Sequence, residues 1–440
     1  MRPAIWAAGV LALAGGALAL DLPEVARITP ARPDQAFATP ASSAPGLAAL
    51  DAQAGRALFD RLWVAAPAST RAADGLGPLY NARACSACHL NHGRAHPPDG
   101  DGPAPLGLVV RLAGDEGAPD PVLGHQIQPL ATGGLPGEGR VDIAWVEHEV
   151  ALADSTRVTL RQPEVALSDL AWGHPASATQ MGLRAAPPLV GLGLIAAIDA
   201  ADLMYMHAPG RVRMVTPLSG GAPVPGRFGR RAGVASLADA TALALSIDMG
   251  LSTPFLTAPW GDCTDAQPAC RSAPHGDGDT RVQEVAQNAV DLIAAHLASL
   301  APPARRRAER SPEVARGEAL FHTAGCASCH RPAYTIATPD GPRVIQPYSD
   351  FRLHDLGPGL AEAAPEAGIS TGEWRTAPLW GLGHTAAVGD GRVSFLHDGR
   401  ARTMLEAILW HGGAAQAARD RVTEMPAADR AALVAFLESL

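Results

Sequence analysis

Lysine is missing from this chain: all 35 of its basic residues are arginine. That excludes a Schiff-base lysine and the phosphate-gripping lysine of a P-loop. Positive charge is also in deficit, with 44 acidic residues and a formal net charge of −9. Aromatic residues are only 5% of the chain and form no stripe with basic ones, so neither a field nor a stacking surface exists for nucleic acid. Cysteine is scarce, six in 440 residues, beside 15 histidines, and any repeated pattern of the two therefore carries weight. The one sustained apolar run is N-terminal, from Ala4 to Leu20 behind Arg2. It is short for a membrane span, and Ala17-Leu18-Ala19 suits cleavage by signal peptidase after Ala19. The expectation is a signal peptide over 1–19, export to the periplasm, and no membrane span after cleavage.

A hydrophobic content of 47% over 440 residues is enough to bury the cores of two domains. Glycine (46) and proline (39) are abundant, which calls for many ordered turns. Residues 20–48, rich in proline, alanine and serine, read as an extended leader. A proline and arginine run, Ala301-Pro302-Pro303-Ala304-Arg305-Arg306-Arg307, reads as a linker and divides a first domain, 49–304, from a second, 305–440. Two similarities connect the halves. GRALF at 55–59 recurs as GEALF at 317–321, and the run from Arg184 to Gly193 recurs, one residue shorter, from Arg375 to Gly383. Strands are expected at Leu108–Val110, Val141–Val150 and Arg157–Leu160, all in the first domain. The second, ending in an apolar-periodic helix from Ala427 to Leu440, reads as helix and loop. The fold expected is mainly α: two cytochrome c-like domains, the N-terminal one enlarged by insertions with some β structure.

Chemistry concentrates in Cys85-Ser86-Ala87-Cys88-His89 and Cys326-Ala327-Ser328-Cys329-His330. In a CxxCH string two thiols bond the haem vinyl groups and the adjacent histidine ligates iron. A zinc site or a dithiol redox pair is the competing reading, but dithiol exchange has no use for a histidine after the second cysteine, and here it occurs twice. Two covalently bound haem c groups are expected, attached by Cys85, Cys88, Cys326 and Cys329, with His89 and His330 as iron ligands. The remaining cysteines, Cys263 and Cys270, suit a disulfide closing a small loop in an exported protein.

Beyond residue 50 the chain resembles the di-haem oxidoreductases, often labelled thiol oxidoreductases and related to bacterial di-haem cytochrome c peroxidases. The resemblance rests on Ala186-Pro187-Pro188-Leu189-Val190-Gly191-Leu192-Gly193-Leu194, GRFG at 226–229, Asp248-Met249-Gly250, Tyr348-Ser349-Asp350, Leu353-His354-Asp355-Leu356-Gly357, EWRTAPLWGLG from Glu373 and FLHDGRA from Phe395. The chain departs from the family where Ala196 replaces a glutamate that could serve in acid-base chemistry. It departs again where Met206-His207-Ala208-Pro209-Gly210-Arg211 replaces an aspartate-rich loop, so the resemblance carries no calcium site over.

The resemblance implies that a C-terminal haem takes electrons from a small redox protein. It passes them to an N-terminal haem, that of His89, which reduces a small-molecule oxidant such as hydrogen peroxide. Two adjacent haems suit a two-electron reduction. A non-catalytic electron carrier and an oxidase of a sulfur compound are the alternatives. Candidate catalytic groups are Gln126 and Gln128, with His125, His148 and His174 in the same domain. Arg184 and Arg375 occupy matching places in the repeat and suit haem propionates, or the pinning of a loop. Thr403 with Glu406 forms a capping-box pattern opening a helix from Met404 to His411, stopped by Gly412-Gly413, with Met404, Ile408 and His411 on one face. In the related peroxidases a methionine fourteen residues beyond the histidine of a similar HDG segment ligates the C-terminal haem; the same distance from His397 arrives at His411. The expected pair at the second haem is His330/His411. Met404 is the rival ligand, and a dipole-stabilised helix end the other reading of His411.

Overall fold

Two glycines set the packing of the two halves. In a computed structural model describing residues 23–41, 46–205, 207–277, 282–306 and 311–440, helix Leu47–Phe59 lies across helix Gln287–Ser299. A Cβ at Gly55 would run into the Leu292 carbonyl. Helix Pro312–Thr323 lies in the same way across Ala427–Ser439, where a Cβ at Gly317 would meet the Ala432 carbonyl. The repeated GxALF string is thus a close-approach glycine followed by an anchoring phenylalanine. Phe59 and Phe321 are each 2% exposed, and their rings lie 6.5 Å from His89 and 6.3 Å from His330. The second repeat has a matching cause. Gly191 and Gly381, at φ 74° and 80°, donate their N–H groups to the carbonyls of Leu300 and Leu440 at the ends of the crossing helices.

The expectation of a mainly α protein is corrected: helix makes up only 30% and strand 19%, in six small sheets. Alternating β-branched residues build a long hairpin, Arg140–Ala151 against Arg157–Ser168, in register from Arg140↔Ser168 to Ala151↔Arg157. Gly102–Pro103 adds its third strand. Leu108–Ala113 pairs with Gln180–Ala185, so the short apolar run extends into a full ladder once a partner is present. The second half also contains strands: Tyr334–Ile336 with Arg343–Ile345, and Leu353–Asp355 with Glu373–Arg375. Frequent glycines and prolines keep such ladders short and close them, a composition that suits neither long helices nor long strands.

The hairpin reaches over the second half. Ala153 N–H donates to Thr423 O at 3.0 Å, Arg430 pairs with Asp154 at 2.5 Å, and His148 meets the edge of the Trp410 ring at 5.0 Å. The described part of the leader is packed rather than free: Val25 N–H donates to Val344 O, Ala304 N–H to Ile28 O, and Phe37 is buried against Gly381. The largest apolar core mixes both halves, joining Phe59, Leu189 and Ile293 to Phe351, Trp380 and Val388. Cys263 and Cys270 are bonded. Among the described residues no helix is long and apolar enough to cross a membrane; the expected signal peptide lies outside them.

Candidate functional site

The first motif forms a one-turn helix, Cys85–Cys88, and the second a 3-10 turn, Cys326–Ser328. Their four cysteines are unbonded and half-buried. Burial, then the nearby Asp248 carboxylate, pushes Cys85 and Cys88 up to about 12, and burial pushes Cys326 up to about 11. Each motif histidine is oriented by a backbone carbonyl. His89 Nδ1 lies 2.9 Å from Pro187 O, and His330 Nδ1 2.9 Å from Tyr348 O. A carbonyl only accepts, so Nδ1 carries the proton and Nε2 keeps its lone pair in both rings. Burial lowers both histidines to about 4, keeping them neutral at ordinary pH.

His411 has the same disposition. Thr403 caps helix Met404–Leu409 by accepting from Glu406 N at 3.0 Å, while the Glu406 carboxylate reaches back to Arg402 N rather than to the cap residue. His411, just past the helix, donates from Nδ1 to Ala407 O at 2.7 Å and leaves Nε2 free. Burial lowers its pKa, and it sits near enough to His330 to depress that ring further. Met404 packs instead in the apolar clusters around Leu409 and Leu433.

Gln126 and Gln128 are buried at 2% and 1% exposure, close to the first motif. Gln126 Nε2 donates to Asp248 Oδ1 at 2.6 Å, and Gln128 donates its backbone N–H to Glu138 at 2.7 Å and its amide to Ile247 O. Burial raises both carboxyls, Glu138 to about 8. Two of the three candidate histidines of the first half have other partners. His125 pairs with Asp262 at 2.6 Å, His148 packs on Trp410, and His174 is exposed.

The arginines divide sharply. Arg184 is held by Glu362 at 2.5 Å and Glu366 at 2.8 Å, so its charge is compensated within the protein. Arg375 donates only to carbonyls, Gly229 O and Thr376 O. Arg230 donates to Ala185 O and Arg94 to Leu396 O, and the Nε atoms of both are buried without a partner. Among the described residues none of these three arginines makes an ion pair. Burial lowers Arg94 and Arg375 to about 10; burial followed by repulsion from Arg94, Arg375 and Arg184 carries Arg230 well below its ordinary range. A half-buried cationic cluster whose Arg94 and Arg230 Nε atoms are buried without partners calls for an anion.

Residues 175–440, more than half of the chain, match the family model described as "Di-haem oxidoreductase, putative peroxidase". The chain belongs to this family. No curated protein matches it. A solved structure of hydrazine synthase from Kuenenia stuttgartiensis, pressurised with xenon, is similar at 13% identity over 100% of each chain, with a TM-score of 0.40. That likeness is too slight to bear on fold or function.

A di-haem oxidoreductase holds two haems, and the residues here fit such groups. Four unbonded thiols lie in two CxxCH turns, three imidazoles leave Nε2 free, and three arginines lack the carboxylates that a porphyrin would bring. Among the described residues no cluster of three or more histidine, cysteine or acidic side chains is arranged to hold a bare metal ion. Sequence reasoning passed over Arg94, Arg230 and Asp248. Arg230 follows directly on the GRFG string and Asp248 opens Asp248-Met249-Gly250; both strings were legible as family segments, but their contacts were not. It also passed over a buried pair, His354 Nε2 to Asp350 Oδ2 at 2.8 Å, with His354 Nδ1 3.5 Å from Cys329 Sγ.

Proposed function

We propose that this di-haem oxidoreductase is an exported, periplasmic enzyme of the peroxidase type, with both haems covalently attached. Cys85 and Cys88 would hold the first and Cys326 and Cys329 the second, with His89 as iron ligand of one and His330 and His411 as ligands of the other. The observation that carries the reading is the matched geometry of the motifs: in each, two free thiols and a histidine locked by a backbone carbonyl into the tautomer that offers Nε2. When bound, the haems supply the redox chemistry: two electrons from a small redox protein pass to a small oxidant such as hydrogen peroxide, which with two protons gives two waters.

The protein's own groups hold and orient. Pro187 O and Tyr348 O fix the histidine rings, and Ala407 O fixes His411. Arg94, Arg230 and Arg375 would take the haem carboxylates, with Arg184 kept by its glutamates as support for the neighbouring backbone. Burial favours a proton on Asp248, beside the first motif, and the Gln126 amide holds its Oδ1 in place. The test is mass and spectral analysis of the protein purified from periplasm. Two haems on tryptic peptides containing Cys85/Cys88 and Cys326/Cys329, one high-spin iron in the half-reduced state, and peroxide turnover are expected. Two low-spin haems inert to peroxide would show an electron carrier, and peptides free of haem would overturn the attachment.

A further inference from the structure

Arg352 is 6% exposed, and among the described residues it makes no ion pair. Its guanidinium is turned instead into one stretch of backbone. Nε and Nη2 donate to Leu203 O at 3.1 and 3.0 Å, and Nη2 also to Tyr205 O at 2.7 Å. Nη1 donates to Ala208 O at 2.6 Å, Pro209 O at 3.1 Å and Gly210 O at 3.4 Å. Five carbonyl dipoles with their negative ends aimed at one point are unfavourable unless a cation lies there. A divalent ion in such a place ordinarily takes carboxylates as well, but residues 203–211 contain no acidic side chain. A guanidinium, with one delocalised charge and five N–H donors in a plane, matches neutral carbonyls in number and direction.

We propose that Arg352 is the internal structural cation for the carbonyls of Leu203, Tyr205, Ala208, Pro209 and Gly210, doing there what a bound metal does in other loops, and that it thereby positions His354. The second link is direct. Arg211 exchanges backbone hydrogen bonds with Leu353 at 2.8 and 2.9 Å, and Gly210 is packed against the His354 ring so closely that a Cβ would lie 2.5 Å from Cε1. Gly210 is therefore the wall behind His354, whose other side meets Asp350 and Cys329 Sγ. Arg352, the neighbour of Leu353 in sequence, ties that wall to the strand it backs.

Hydrogen exchange on the full-length holoprotein tests this, read at the amides of residues 203–211. In the wild type, protection is expected to be unchanged by EDTA and by added calcium. Arg352→Ala should lose protection at least tenfold there, millimolar guanidinium should restore it, and calcium should not. Arg352→Lys, which retains the charge with three donors for five carbonyls, should fold and fall between the two. Loss of wild-type protection in EDTA, full protection in either variant, or rescue by calcium in place of guanidinium would overturn the proposal. An Arg352→Ala protein that fails to fold leaves the lysine variant and the chelation experiment to decide. A positioning role further predicts that the midpoint potential of the second haem shifts in the lysine variant, and an unmoved potential would sever His354 from the argument.

Discussion

Replacing Glu362 by glutamine removes one negative charge from a largely enclosed ion network while preserving the side-chain shape. The Glu362 side chain is 1% exposed, accepts from Arg184 at 2.5 Å and forms an ion pair with Arg231 at 3.1 Å. Arg184 and Arg213 would retain Glu366, at 2.8 and 2.5 Å. Arg231 would not. It is itself 1% exposed, its remaining hydrogen bond runs to Thr371 O at 2.9 Å, and its Nε and Nη1 are buried without partners. The face of Trp374 4.5 Å away softens its charge without neutralising it. Stranding one buried cation costs about 3–5 kcal/mol. Since Arg184 keeps its second partner, glutamine should fall near the lower end, and alanine, which also opens a cavity, near the upper. Urea unfolding of the holoprotein at pH 7 measures it, with Glu149→Gln as control. Glu149 pairs with Arg157 at 2.7 Å but with 54% and 69% side-chain exposure, so its loss should cost under about 1 kcal/mol. A Glu362→Gln protein no less stable than the control would refute the claim that this network carries buried, mutually dependent charge.

Glu366 in the same network gives a pH prediction. Burial raises its carboxyl, but Arg184 and Arg213 outweigh that and hold it at about 2, below the ordinary 4.5. Its contribution is therefore complete above about pH 5 and lost as pH falls toward 2. Unfolding midpoints should drop through that window, and the drop should shrink in Arg213→Gln; identical pH profiles would count against the assignment. Gly317→Ala should destabilise by about 1–3 kcal/mol, because the methyl meets the Ala432 carbonyl and the helices must part. Gly100→Ala, with nothing within 4 Å of its Cβ, should be near neutral, and equal effects at the two sites would defeat the close-approach argument. His411→Ala should abolish the low-spin signal of the second haem, and a signal left intact would return the ligand question to Met404.

Local chemistry determined much of this protein without reference to its fold. The spacing of thiols and imidazole made the two CxxCH strings readable as candidate haem sites, and the Thr403 cap, a bond between residues three apart, marked the start of the helix before His411. The two repeats were also visible, since each recurs as a contiguous string. What the strings do was not visible: the glycine of GxALF meets a carbonyl from a helix 237 residues away at Leu292. The balance of helix and strand escaped for a related reason. Short ladders such as Leu353–Asp355 with Glu373–Arg375 have too few residues to show a period and exist only because a partner strand arrives. Charge was the least legible of all. Arg184 and Arg375 occupy matching places in the repeat, yet one is neutralised by Glu362 and Glu366 and the other, among the described residues, forms no ion pair. Arg230 and Arg352 gave no local sign of their surroundings. An arginine's role depends on which acceptors lie within about 3 Å of five N–H groups at the end of a long side chain, and only tertiary packing decides that.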